Sequence, residues 1–62
     1  MESKYVKKIS GLLQISEKQT VNTLQLFEEG ATIPFISRYR KERTGDLDEV
    51  QIADIKSLQE KF

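Results

Sequence analysis

The stretch Ser16-Glu17-Lys18-Gln19-Thr20-Val21-Asn22-Thr23-Leu24-Gln25-Leu26-Phe27-Glu28-Glu29-Gly30 carries both ends of one helix within fifteen residues. Ser16 followed three residues later by Gln19 has the form of a capping box, in which a hydroxyl and a side-chain amide satisfy the orphan N–H groups of a first turn. Gly30 supplies the left-handed residue that stops a helix. Between them, Glu17 to Glu29 reads as helix, with Val21, Leu24 and Phe27 on one face. Leu26 is the misfit, about 100° round from Phe27. It is either a lone exposed leucine, which is common, or the mark of a second contact surface.

Working outward, the segment from Ser3 to Gln14 places Tyr5, Val6, Ile9, Leu12 and Leu13 within an arc of about 120°, with Lys4, Lys7 and Lys8 outside it. It reads as an amphipathic helix, capped by Ser3. Downstream of Gly30, Thr32 is a candidate cap and Pro34 stands where a first helical turn tolerates a missing amide. The helix expected from Pro34 to Arg43 buries Phe35, Ile36 and Tyr39, and Thr44-Gly45 ends it. Asp46-Leu47-Asp48-Glu49 is a second box-like start, with acids where the helix dipole favours them. The last helix, from Leu47 onward, spreads Leu47, Val50, Ile52, Ala53, Ile55, Leu58 and Phe62 over about 200°, more than one small core needs. No stretch alternates as a strand does. The expectation is an all-α bundle of about four short helices, spanning residues 1–62 as part of a larger helical region. Its expected core is Val6, Ile9, Leu13, Val21, Leu24, Phe27, Phe35, Ile36, Tyr39 and Leu58.

Composition narrows the function. The chain has 62 residues, no Cys and no His, which removes disulfides, thiolate ligands and ordinary zinc sites. Catalysis without His or Cys needs paired carboxylates or an activated Lys, Ser or Thr in a water-excluding cleft. Four short helices leave little volume for one, so neither an enzyme nor a cofactor site is expected, and no small-molecule substrate. The longest apolar run, Ile33-Pro34-Phe35-Ile36, is too short to span a membrane, and Met1-Glu2-Ser3-Lys4 lacks the layout of a signal peptide. A cytoplasmic location is expected.

The net charge is zero, from ten basic and ten acidic side chains, but the charge is segregated. Residues 31–45 hold Arg38, Arg40, Lys41 and Arg43 against Glu42 alone, and residues 46–62 hold Lys56 and Lys61 against Asp46, Asp48, Glu49, Asp54 and Glu60. Four cations in the six residues Arg38-Tyr39-Arg40-Lys41-Glu42-Arg43, with an aromatic among them, suit phosphate neutralisation. Cations in a last helical turn are also favoured by the dipole without any ligand, and the acidic segment downstream offers them partners. On a continuous helix Arg38 and Lys41 lie together opposite the apolar face, while Arg40 flanks that face and Arg43 projects above it. The second and third helices have the outline of a helix-turn-helix. The start of the second member, Ile33-Pro34-Phe35-Ile36-Ser37, holds no Arg, Lys, Asn or Gln to read a base edge, so phosphate contact is the mode expected.

The twenty residues from Gly30 to Glu49, Gly-Ala-Thr-Ile-Pro-Phe-Ile-Ser-Arg-Tyr-Arg-Lys-Glu-Arg-Thr-Gly-Asp-Leu-Asp-Glu, resemble the N-terminal signature of the Tex family, the bacterial transcription accessory proteins. Ile33 stands for a usual Val, Ser37 for a usual Ala, and Arg43 and Asp46 fall at variable positions. The resemblance singles out Gly30, Pro34, Phe35, Tyr39 and Gly45 as structural members of the motif. It implies a parent of several hundred residues with a helical N-terminal region containing a helix-turn-helix-like part. An RNase-H-like domain without catalysis, helix-hairpin-helix elements and a C-terminal OB-type RNA-binding domain are implied beyond it.

Two functions from different classes follow. In the first, the chain is a helical module of a transcription factor that binds RNA or DNA, with Arg38, Arg40, Lys41 and Arg43 as phosphate contacts. In the second it is an intramolecular scaffold, docking through the basic segment and the last helix on later domains of the same protein.

Overall fold

A computed structural model describes residues 3–61, and of Ser3 the backbone alone. The cap expected from the Ser3 side chain and the contact expected of Phe62 lie outside the described residues. Five helices follow in order: α1 (Ser3–Leu13), α2 (Glu17–Glu28), α3 (Ile33–Tyr39), α4 (Lys41–Thr44) and α5 (Glu49–Lys61), with no strand among the described residues. The all-α bundle expected from the sequence is the fold observed, and α2 sits at its centre, packed against α1, α4 and α5. No helix among the described residues is long and apolar enough to cross a membrane.

The helix ends follow from local chemistry. At Ser16 the capping box is complete: the Gln19 N–H donates to Ser16 Oγ (3.1 Å) and the Ser16 N–H donates to Gln19 Oε1 (2.9 Å). At the other end Gly30 has φ +89°, the Gly30 N–H donates to the Phe27 carbonyl and the Ala31 N–H to that of Leu26. This is a Schellman turn. Helix α1 ends in the same way on a non-glycine residue, Gln14 (φ +57°), with the Ile15 N–H donating to the Ser10 carbonyl. Helix α5 starts two residues later than expected. Asp48, rather than Asp46, is the cap: the Gln51 N–H donates to Asp48 Oδ1 (2.8 Å) and the Asp48 N–H to Gln51 Oε1 (3.1 Å). Leu47 therefore precedes the helix, and it shares the core with Ile52, four positions past the cap, as in a hydrophobic staple.

The core consists of Val6, Ile9, Leu24, Leu26, Ile36, Leu47, Ile52 and Ile55, with Leu13, Phe27 and Leu58 half-buried against it. Three expected members lie outside: Val21 (43% exposed), Phe35 (39%) and Tyr39 (61%). Leu26, at 1% exposed, lies inside. The cause is a polar seam. Thr20 and Thr23 are fully buried, the Thr20 and Ser10 hydroxyls lie 2.8 Å apart, Thr23 Oγ1 donates to the Gln19 carbonyl and Ser10 Oγ to that of Val6. With their hydroxyls satisfied, the threonines bury as small apolar residues. They turn the inner face of α2 toward Leu26 and away from Val21. In α3 the inward positions fall to Ile33 and Ile36, which leaves Phe35 and Tyr39 on the outer side.

Two stability differences follow. Leu26→Ala should cost about 2–5 kcal/mol and Val21→Ala about 1 kcal/mol or less, and urea titration of both variants checks the contrast. Gly30→Val should destabilise by about 1–2 kcal/mol, because a branched side chain at positive φ meets the following carbonyl. A thermal melt followed by circular dichroism should show it as a drop of about 4–16 °C.

Candidate nucleic-acid interface

The cationic segment lies where α3 gives way to α4. The helix expected to run unbroken from Pro34 to Arg43 is broken at Arg40, whose φ of −129° and ψ of 34° leave the helical region. Arg40 closes α3, its N–H donating to the Ile36 carbonyl, and its own carbonyl receives the N–H groups of Arg43 and Thr44 to open α4. The break turns α4 back onto α2, where two side-chain amides hold it. Gln19 Nε2 donates to the carbonyls of Thr44 (3.0 Å) and Gly45 (3.2 Å), and Asn22 Nδ2 donates to that of Arg43 (2.9 Å). These are the orphan carbonyls of a helix end, satisfied from a neighbouring helix. Gly45 ends α4 at φ +67°, which favours glycine, and a Cβ there would stand 2.7 Å from Gln19 Nε2 and push that amide aside.

The four cations divide by this geometry. Arg38 on α3 and Lys41 on α4 are exposed. Arg40 and Arg43 are half-buried. The Arg40 guanidinium lies 4.9 Å from the centroid of the Phe35 ring and Nη1 donates to the Tyr39 carbonyl at 2.9 Å. Phe35 in turn packs against Tyr39, ring centroids 5.4 Å apart and planes tilted by 51°. Among the described residues no ion pair joins any of the four cations to a carboxylate of the acidic segment downstream. The helical spacing that would set Arg38 beside Lys41 is interrupted at Arg40, and each of the two presents its charge from a separate helix.

Of the structural motif residues, Gly30 and Gly45 each terminate a helix at positive φ. Thr32 caps α3, accepting the Phe35 N–H on Oγ1, with Pro34 in the first turn. Leu26, Glu29, Gly30, Ala31, Thr32, Phe35 and Arg40 line an open groove of about 370 Å³ between α2 and α3. The positioning roles of Gln19 and Asn22 were hidden from sequence reasoning, which assigned Gln19 to the capping box alone. No group of His, Cys, Asp and Glu among the described residues is arranged to hold a metal ion.

Comparison with known proteins agrees with the signature read from Gly30 to Glu49. The model of the Tex-like protein N-terminal domain matches residues 3–62. The chain is 47% identical over 49 residues to the protein YdcI of Bacillus subtilis, and 39% identical over 57 residues to the protein YhgF of Escherichia coli. Those alignments cover 79% and 92% of this chain and 7% of either relative. It is 43% identical over 47 residues, 76% of the chain and 6% of the relative, to the transcriptional accessory protein Tex of Neisseria gonorrhoeae. No solved structure matches. The chain thus spans less than a tenth of the length of the curated relatives it matches.

Gln19→Glu keeps the oxygen that caps α2 but replaces the nitrogen that donates to Thr44 and Gly45 by an acceptor. That variant should lose about 1–3 kcal/mol, measured by chemical denaturation. The loss of α4 should show as sharpened, solvent-shifted amide signals at Lys41 to Asp46.

Proposed function

This chain belongs to the Tex-like protein N-terminal domain family, and we propose that it serves a transcription accessory protein as a non-catalytic, helical module that contacts RNA or DNA through phosphates. One observation carries the reading: four cations cluster at the α3–α4 corner, and none forms an ion pair with a carboxylate among the described residues. Arg38 and Lys41, exposed and with side chains that make no hydrogen bond among the described residues, are the phosphate contacts. Arg40 and Arg43 shape the corner, since the guanidinium of one is engaged with Phe35 and the Tyr39 carbonyl, and the carbonyl of the other is held by Asn22. Contact of this kind carries no sequence information. That suits a helix-turn-helix-like α2–α3 pair whose second helix opens with Ile33, Pro34 and Phe35 in place of base-reading side chains. The absence of His and Cys supports a binding role over a catalytic one, and a role in bacterial transcription supports a cytoplasmic location.

A second reading, docking on other domains of a longer parent chain, draws support from Leu12 on α1 and Val50 on α5, both large apolar side chains left exposed. Salt separates the two. Phosphate contacts release counterions, so affinity for RNA and DNA should fall steeply with salt, and Arg38→Ala and Lys41→Ala should each weaken binding to both about equally. Each should also lower the slope of log K against log salt by about 0.7–0.9. Unchanged affinity and slope in both variants, measured across a salt series, would leave docking as the reading.

A further inference from the structure

We infer that the cleft between α2 and α4 is a second phosphate site, with Lys18 and Arg43 as its cations. The inference deepens the phosphate reading above, and rests on it where the phosphate belongs to a strand. The amides that draw α4 onto α2 leave between the two helices an open cleft of about 220 Å³. A water takes roughly 30 Å³ in the liquid, so a tetrahedral phosphate group fits. Lys18 lines the cleft from α2 and is exposed, and Arg43 lines it from α4 and is half-buried. Neither side chain makes a hydrogen bond or an ion pair among the described residues.

The neutral groups around them also have donors to spare. Asn22 Nδ2 gives one hydrogen to the Arg43 carbonyl and keeps a second. Ser16 Oγ accepts the Gln19 N–H, and its own hydrogen is not engaged among the described residues. Both Asn22 and Ser16 line the cleft. An ammonium, a guanidinium, an amide and a hydroxyl on two facing walls form a donor set suited to an oxyanion, with the charged pair supplying the stronger bonds. Glu42 is the single carboxylate in the lining and opposes an anion there, so the cations stand two to one. The phosphate is either a backbone group of a strand that runs on from Arg38 and Lys41, or a free ion.

Two probes distinguish these sources. In a titration of the chain with inorganic phosphate, against chloride at matched ionic strength, the NMR signals of Lys18, Arg43 and the Asn22 side-chain amide should shift saturably. Lys18→Ala should abolish those shifts. In a salt series with an RNA and a DNA oligonucleotide, Lys18→Ala and Arg43→Gln should each lower the slope of log K against log salt by about 0.7–0.9. Lys7→Ala removes a charge that is exposed on α1 and absent from the cleft, and should leave the slope at the parent value. Glu42→Gln should tighten binding of both probes. Helix content by circular dichroism checks that each variant is folded.

If inorganic phosphate shifts none of these signals, or shifts them equally in Lys18→Ala, and the slope is parental in both cleft variants, the cleft site is overturned. The phosphate reading of the corner survives that result so long as Arg38→Ala and Lys41→Ala still lower the slope. Phosphate shifts that vanish in Lys18→Ala beside a parental slope assign the cleft to a free phosphate ion. If the corner variants also leave oligonucleotide binding unchanged, the strand reading has failed while the cleft stands.

Discussion

One side-chain amide, that of Gln19, works at two helix ends at once. Its oxygen accepts the Ser16 N–H that opens α2, and its nitrogen donates to the Thr44 and Gly45 carbonyls that close α4. A four-residue helix has no stability of its own, since nucleation costs more than so few hydrogen bonds return. Helix α4 exists because α2 satisfies its carbonyls from outside, with Asn22 taking the third. Through α4, the same contacts fix the break at Arg40 and hence the direction in which α3 leaves α2.

That dependence explains which parts of the fold were legible beforehand. Helix ends written in short-range chemistry, such as Ser16 with Gln19 and Gly30 after Glu29, appear in the structure where the sequence places them. Apolar spacing found Val6, Ile9, Leu24 and Ile36. It misassigned Val21 because Thr20 and Thr23 count as polar in any hydropathy pattern, yet pair their hydroxyls locally and bury completely. The same rotation resolves Leu26, which at 1% exposed joins the core. The break at Arg40 had no local signal. Arg, Tyr and Lys are all compatible with helix, and the cause lies in amides from Gln19 and Asn22, far back along the chain.

The candidate site was legible as a composition and not as a geometry. Four clustered cations announce an electrostatic role, but their division into two exposed and two half-buried members follows from the break. Arg40 shows how a residue that reads as a ligand contact is recruited to architecture: its guanidinium lies on the Phe35 ring and is hydrogen-bonded to the Tyr39 carbonyl. A charge so engaged still contributes to the local potential. It is less available for a directional contact to phosphate.

The amide clamp also orders the assembly of the chain. The Ser10–Thr20 hydroxyl contact closes a loop of ten residues, whereas Gln19 to Gly45 closes one of twenty-six. Loop entropy grows with the logarithm of length, so the longer closure costs only about 0.8 kcal/mol more. The α1–α2 hairpin therefore closes at the lower entropic cost, by a modest margin. The clamp that fastens the cationic corner runs through α2, which also packs against α1 and α5. Any partner that recognises the folded corner adds its binding free energy to the stability of the entire bundle by mass action. Occupancy of a surface patch is thereby felt at Ile36 and Leu26, in the interior.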